Sequence, residues 1–229
     1  VNSYYGVKLN SNYDDATFKF YMIGSYGDDY WKHISDKIQP FIFLDIGANQ
    51  GLYTLCALMN KNCIACFSFE PVSKTFALLK KNVTVNDLST KCHLINKAIT
   101  NKSGFYDISI KANHSGVATM HPTNDLVSES NNNIETIEAI SCIELENLIE
   151  NREKVGLVVK IDVEGSEMNV ITELLKTQLA NEINEIYFEV DERWVDYNDI
   201  EILLKSNGYK FFSKTSADTR HYDVYARKQ

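Results

Sequence analysis

The chain of 229 residues lacks several features that would place it in a broad functional class. It has no run of about 18 apolar residues, the length that a membrane-spanning helix needs. It has no excess of positive charge, because 23 Lys and Arg residues stand against 31 Asp and Glu residues. The net charge of −8 argues against nucleic acid as a partner, although a local basic groove is compatible with it.

Motifs for targeting, metal binding and common catalytic sites are also missing. No charged and then apolar leader opens the chain, so we expect a cytoplasmic protein. The chain begins with Val1 rather than Met, so we expect one domain of a longer protein as an alternative. The five His residues have no ligand spacing, so we expect no metal site. Neither a Walker glycine loop nor a Gly-x-Ser-x-Gly elbow is present.

Cysteine is scarce and odd in number. The five Cys residues lie mostly in apolar stretches, which suits reduced, buried thiols. Cys63 and Cys66 form a Cys-x-x-Cys pair, but a strand over residues 64–69 would send positions three apart to opposite faces. No second pair follows, so a metal or redox role for this pair is the weaker interpretation.

Apolar residues are abundant enough for one domain, at 44% of the chain. From Phe41 onward, strand-like and helix-like stretches alternate, which is typical of a mostly parallel sheet between helices. The predicted strands are residues 41–44, 64–69, 93–98, 157–163, 183–190, 209–214 and 222–227. We expect the last two to form an antiparallel pair at one edge.

Two segments stand outside this alternation. Residues 1–40 are polar and aromatic, with one strand-like stretch at 18–23. Because they lack an apolar core of their own, we expect a lid or N-terminal extension of the domain formed by residues 41–229. Residues 105–140 are irregular, with a turn at 113–116 and a polar loop at 124–133, and we expect them to supply a substrate-facing flap.

The chain is organised around residues 41–54, FIFLDIGANQGLYT, in which a buried strand runs through a glycine turn into a helix. Such a turn is expected to present backbone N–H groups to a ligand. A dinucleotide fingerprint would need glycines where Asn49 and Leu52 stand, so a nicotinamide-dependent oxidoreductase is the less favoured alternative. Asp45 would repel a diphosphate but suits a ligand with an ammonium group, such as S-adenosylmethionine.

Acidic residues follow the apolar run of four predicted strands: Asp45, Glu70, Asp162 and Glu189. Ligands bind at this carboxyl edge in open α/β sheets, so four acids favour a polar site over helix caps and chance. The position of Glu70 is one from which a carboxylate can hold both ribose hydroxyls of an adenine cofactor.

Lys160 lies two residues before Asp162 and therefore on the same face of its strand. A lysine in an apolar strand needs a partner, which we expect to be Asp162 or Glu189; a structural ion pair and a direct role both stay open. His114, on the expected flap, is the best-placed histidine for proton transfer, although a solvated loop histidine is the more common case.

Several of these motifs together resemble the FkbM family of S-adenosylmethionine-dependent methyltransferases. The resemblance is carried by LDIGANQGLYTL at 44–55, FEP at 69–71, Asn82 and Asn86, KA at 97–98, and above all VKIDVEGSE at 159–167. It implies a class I methyltransferase (Rossmann-like) fold, a seven-stranded mostly parallel sheet with a reversed C-terminal strand and helices on both faces. It also implies O-methylation of a small-molecule or glycan acceptor, with S-adenosylhomocysteine as product. A non-catalytic binding or assembly domain is the alternative.

The resemblance also implies roles for individual residues. Asp45, Gly47, Asn49 and Gly51 would cradle the methionine end of the cofactor. Glu70 would hold the ribose, Ala98 would lie near the adenine, and Asp162 near the methionine amine and sulfonium. Ala48 and Pro71 are also expected to contact the cofactor.

The family does not fix a general base, so the catalytic prediction comes from topology. Strands four and five should adjoin strand one, which would bring Asp162, Glu164 and Glu189 together beside the transferred methyl group. Glu164 is our first choice for the base, because Asp162 would be occupied by the cofactor and Glu189 could pair with Lys160. Its alternative role is to start the following helix.

Overall fold

A seven-stranded sheet forms the centre of the protein in the computed structural model, which describes residues 1–120, 132–149, 155–215 and 220–228. Its strands are β1 (Phe41–Ile46), β2 (Cys63–Phe69), β3 (Cys92–Ile95), β7 (Gly156–Ile161), β8 (Ile183–Asp191), β9 (Phe211–Lys214) and β10 (His221–Arg227). Their order across the sheet is β3-β2-β1-β7-β8-β10-β9. Pairing is parallel from β3 to β8, whereas β10 is antiparallel to both of its neighbours. The predicted mostly parallel sheet with a reversed last strand is confirmed.

Helices cover both faces of this sheet, as predicted. They are α1 (Ala16–Ile23), α2 (Asp28–Ser35), α3 (Leu52–Met59), α4 (Ser73–Val85), α5 (Cys142–Leu148), α6 (Glu167–Leu174) and α7 (Tyr197–Ser206). All six residues of β1 are buried, because alternate side chains enter different cores. Ile42 and Leu44 pack in the core that includes α5, α6 and α7, while Phe41 and Phe43 pack with residues of α2 and α3. Among the described residues, no helix has the length and apolar character to cross a membrane.

A smaller, three-stranded sheet lies between β3 and β7 in the chain. It consists of β4 (Ala98–Thr100), β5 (Gly104–Lys111) and β6 (Asn132–Ser141) in the order β4-β6-β5. The prediction of one strand over residues 93–98 is therefore wrong, since Ala98 begins a strand of a different sheet. The turn between the two is held by Asn96, whose amide donates to the carbonyls of Glu70 and Pro71 at 2.8 and 2.9 Å.

Part of the predicted polar loop at 124–133 is also revised. Asn132 and Asn133 belong to β6, which pairs antiparallel with β5, and residues 124–131 lie outside the described residues. The sequence did not reveal β6 because polar residues interrupt its apolar ones, of which Ile137 and Ala139 face a small core, Ile140 faces the large core and Ile134 is exposed.

The N-terminal segment differs from the prediction in its secondary structure. Residues 18–23 are helical, not extended, because Asp15 caps α1 by accepting a hydrogen bond from the Phe18 N–H, and Gly24 ends it in the left-handed region. Tyr5, Val7 and Leu9 pack in one core with residues of α3 and α4. The segment therefore shares its core with the sheet domain.

Candidate active site

The glycine turn after β1 lies against the end of β7. Gly47 has φ of 81°, and a Cβ atom there would stand 1.8 Å from the backbone oxygen of Asp162. Gly51 has φ of 93°, and its Cβ would lie 2.5 Å from a methyl group of Leu79 on α4. Both positions combine a left-handed backbone with a close neighbour, so only glycine fits without displacement.

The expectation that this turn presents free backbone N–H groups to a ligand is wrong. All five N–H groups of residues 47–51 donate within the protein: two to the Phe69 carbonyl, one to Glu70 Oε2, and two inside the turn itself. The turn wraps over the end of β2, where Phe69 and the following Glu70 supply the acceptors for three of these N–H groups. A ligand in the crevice would therefore meet side chains and carbonyl oxygens rather than an N–H cradle.

The crevice at the carboxyl edge of the sheet contains a first cavity. Its lining changes in character along its length, from polar groups at the turn to apolar groups at the small sheet. The polar part includes Gly47, Asn49, Glu70, Asp162 and Glu164. The apolar part includes Pro71, Val72, Ala98, Ile99, Ile108, Ala118 and Met120. Asp45, Ala48 and Gly51 support the turn from behind and are not among the described residues that line this cavity.

Glu70 stands in the middle of the first cavity, and the protein fixes its orientation. Its two carboxylate oxygens accept the N–H groups of Asn49 and Val72, each at 2.9 Å. Burial raises the pKa of Glu70 to about 7, against the effect of these two hydrogen bonds. Each oxygen keeps a free lone pair, so the carboxylate can accept two further hydrogen bonds from a ligand.

Lys160 is 3% exposed and connects β7 to the glycine turn. Its Nζ lies 2.7 Å from the Gly47 carbonyl oxygen, 3.1 Å from Asp162 Oδ2 and 3.7 Å from Asp45 Oδ1. The prediction that Lys160 pairs with Asp162 or Glu189 is confirmed, and the partner is Asp162. Glu189 instead lies 2.6 Å from Nε2 of His221, because β10 pairs directly with β8.

A second cavity lies on the other side of Asp162. Its lining consists of Ser25, Tyr26, Gly27, Tyr53, Asp162, Tyr187, Glu189, His221, Tyr222 and Asp223, so no Lys or Arg of the described chain borders it. The Tyr26 hydroxyl donates to Asp162 Oδ2 at 3.2 Å. Tyr187 is 2% exposed, and its hydroxyl has no hydrogen-bond partner.

Three carboxylates meet where the two cavities adjoin, and we call Asp162, Glu164 and Glu189 the carboxylate cluster. One oxygen of each lies within 4.8 Å of the others. Glu164 has φ of 53°, an uncommon backbone conformation for this residue type. Burial, and then the neighbouring Glu189 and Asp162, raise the pKa of Glu164 well above its usual range. A hard cation would also accept this spacing, but three acids alone do not make a metal site.

The topology therefore brings together Asp162, Glu164 and Glu189, the three acids named from the sequence. It places a different histidine beside them from the one that the sequence favoured. His114, favoured from the sequence, lines neither cavity. His221, which the sequence did not favour, lines the second cavity, and its hydrogen bond to Glu189 raises its pKa to about 9. Its place follows from the β8–β10 pairing, which no local motif encodes.

Ser115 is a further residue that the sequence reasoning missed. Its N–H donates to Asp15 Oδ2 at 2.8 Å, and its hydroxyl lies 2.9 Å from Asn49 Oδ1. The turn at residues 113–116 thus connects the N-terminal segment to the glycine turn. It borders the first cavity, not the second.

Comparisons with known proteins agree with this architecture. The model of the methyltransferase FkbM domain matches residues 45–211. A search of the curated proteins gave no significant match. Among solved structures, the methyltransferase FkbM from Methylobacillus flagellatus KT superposes with a TM-score of 0.57 at 12% identity, covering 83% of this chain and 44% of that one.

Two further structures share the fold at similarly low identity. The METTL16 MTase domain gives a TM-score of 0.56 at 12% identity, covering 99% of this chain and 75% of that one. The N-terminal domain of human METTL16 in complex with SAH gives 0.51 at 13% identity, covering 98% and 77%. At identities this low, the superpositions show only that the fold is shared. The family of the chain is shown by the match to the family model. The chain belongs to the FkbM family of S-adenosylmethionine-dependent methyltransferases.

Proposed function

We propose that this protein transfers the methyl group of S-adenosylmethionine to a hydroxyl oxygen of a small-molecule or glycan acceptor. The observation that carries the proposal is the pair of cavities that adjoin at the carboxylate cluster. A transferase for two ligands needs two binding spaces with one common boundary, and proton acceptors at that boundary.

The lining of the first cavity changes in the same order as the chemical groups along S-adenosylmethionine: amino acid, ribose and adenine. The polar part near Gly47, Asn49 and Asp162 suits the amino-acid end, although the turn offers it no free N–H group. Glu70 has two acceptor positions left for two ribose hydroxyls. The apolar part around Ala98 and Pro71 suits an adenine ring. When bound, the donor supplies an activated methyl group.

The second cavity suits an uncharged or cationic acceptor. Its carboxylates and tyrosine hydroxyls are hydrogen-bond partners for hydroxyl groups, and a phosphate would meet one cation, His221, which already pairs with Glu189, beside the carboxylates of Asp162 and Asp223. This supports an acceptor other than nucleic acid.

The chain's own contribution to the chemistry is alignment and proton acceptance. Glu189 lines the second cavity, while Glu164 lines the first. Glu189 is therefore better placed than Glu164 to take the proton of an acceptor hydroxyl, in contrast to our first choice from the sequence. Positioned proton acceptors typically contribute on the order of 10² to 10⁴ in rate.

The test is transfer of labelled methyl groups from S-adenosylmethionine to a panel of hydroxylated acceptors. Binding of the donor without transfer to any acceptor would favour a non-catalytic domain, and absence of donor binding would refute the proposal. Once an acceptor is found, Glu189→Gln should lower kcat at least about a hundredfold. Glu164→Gln tests the role favoured by the sequence, and Glu201→Gln on α7, away from both cavities, is the matched control.

A further inference from the structure

The carboxylate cluster has more negative charge than the surrounding cations can balance. Lys160 is engaged by Gly47, Asp45 and Asp162, and His221 is engaged by Glu189. Among the described residues, no ion pair includes Glu164. Full ionisation of the cluster would therefore leave uncompensated negative charge at the boundary that the transferred group must cross, so the ligand-free cluster favours a bound proton.

A second observation indicates that a ligand completes this region. The Tyr187 hydroxyl is buried, makes no direct hydrogen bond, and has Asp223 and Tyr53 as polar neighbours; the residue lines the second cavity together with Glu189. Tyr187 and Glu189 are two residues apart on β8 and so project from the same face of the sheet. A buried hydroxyl without a partner is costly unless a ligand satisfies it.

We propose that the carboxylate cluster releases a proton when the positively charged methyl donor binds, and that the protein thereby distinguishes S-adenosylmethionine from S-adenosylhomocysteine. The inference rests on the proposed function. The two compounds share an ammonium group, a carboxylate, a ribose and an adenine, and they differ in charge only at sulfur. Binding of the sulfonium compound should release a proton from the cluster, and binding of the neutral thioether should not.

The charge balance of the reaction is consistent with this exchange. A cluster carboxylate takes the hydroxyl proton as the acceptor oxygen bonds the methyl carbon and the carbon–sulfur electron pair stays on sulfur. One positive charge at sulfur and one negative charge at the carboxylate disappear together, so the net charge of the site does not change. The cluster then holds the proton until the thioether leaves and a new sulfonium compound displaces it.

The exchange predicts a pH window. Burial and the nearby Asp162 raise the pKa of Glu189 to about 8, against the hydrogen bond from His221. Below this pH Glu189 is protonated and gains little from a sulfonium, whereas above it Glu189 is ionised and favours the sulfonium. Other charged groups around the cluster are Lys160, Glu167, Asp191, Arg193, His221 and Asp223. Glu70 also titrates near pH 7, but it faces the part common to both ligands, so its effect cancels in their affinity ratio.

The test is calorimetry of S-adenosylmethionine, S-adenosylhomocysteine and sinefungin, whose amine replaces the sulfonium with another cation. Each ligand is titrated at pH 6, 7, 8 and 9 in buffers of different ionisation enthalpy, with EDTA throughout to remove divalent cations. We expect the two cationic ligands to release more protons than the thioether. We expect the ratio of their affinities to that of S-adenosylhomocysteine to grow about tenfold between pH 6 and 9. This is the effect of a one-unit decrease in the pKa of a cluster carboxyl on binding of the cation.

Variants assign the effect to the cluster. Glu164→Gln and Glu189→Gln should each reduce the difference in proton release and flatten the pH dependence of the affinity ratio. Glu201→Gln, on α7 and paired with Lys205, should leave both unchanged. Equal proton release for all three ligands, with a pH-independent ratio, would overturn the inference while leaving the proposed function intact. Absence of binding by all three would instead refute the proposed function.

Discussion

Glu70 provides the sharpest test of how this chain binds an adenine cofactor. Its carboxylate already accepts two backbone N–H groups, so a simple loss of affinity in a Glu70 variant would mix ligand contacts with damage to the glycine turn. A comparison of two ligands removes this ambiguity. Damage to the turn weakens both ligands alike, whereas a lost ribose contact affects only the ligand that carries the hydroxyls.

The perturbation is Glu70→Gln, measured with S-adenosylhomocysteine and its 2′,3′-dideoxy analogue. Hydrogen bonds to a charged group contribute roughly 1.5–3 kcal/mol each. The parent protein should therefore bind the dideoxy analogue at least about tenfold more weakly, since about 1.4 kcal/mol is a factor of ten. In Glu70→Gln, one acceptor oxygen becomes an NH₂ donor and the charge is lost, so most of this preference should disappear.

The four dissociation constants should be measured by calorimetry at pH 8, because burial raises the pKa of Glu70 to about 7 and the carboxylate must be ionised. Glu138→Gln is the control, since it removes an exposed carboxylate that pairs with Lys97 at the rim of the first cavity. An unchanged preference for the ribose hydroxyls in Glu70→Gln would show that Glu70 does not hold them, whatever happens to the absolute affinities.

Three further predictions concern stability. Gly47→Ala should destabilise the protein by at least about 1–3 kcal/mol more than Gly6→Ala in urea unfolding. Both glycines have positive φ, but only at Gly47 would the added Cβ atom lie 1.8 Å from a backbone oxygen. Equal losses of stability would contradict this close approach. Lys160→Met should cost about 3–5 kcal/mol, because it leaves the buried Asp45 and the partly buried Asp162 without their cation. A loss below about 1 kcal/mol would mean that the ion pair is dispensable. The ligand-free protein should lose stability as the pH rises from 5 to 8. Burial raises the pKa of Asp223 to about 6, of Glu70 and Glu167 to about 7 and of Glu189 to about 8, so the folded state binds more protons than the unfolded state in this window. A free energy of unfolding in urea that stays constant or increases over this pH range would refute the prediction.

Local sequence patterns were sufficient for the elements whose conformation depends on near neighbours in the chain. The strand of β1 and the helix α3 follow from an apolar run, a glycine turn and a helical composition within residues 41–59. The acids at the strand ends were also predictable, because a carboxylate after an apolar strand marks the carboxyl edge wherever the strand pairs. The conformation of residues 18–23 was not, since the cap formed by Asp15 outweighed an aromatic composition typical of strands.

By itself, then, the sequence determined the fold class, the glycine turn and three of the four strand-end carboxylates, Glu70, Asp162 and Glu189, that line the crevice, since each depends on residues close together in the chain. Only the tertiary structure decided what those groups contact. The pairing of β10 with β8 brings His221 to Glu189 and leaves Lys160 to Asp45 and Asp162. Phe69 at the end of β2 and the following Glu70 accept three N–H groups of the turn that the sequence alone would leave free. Such contacts join residues far apart in the chain, so they depend on strand order and burial rather than on any local pattern.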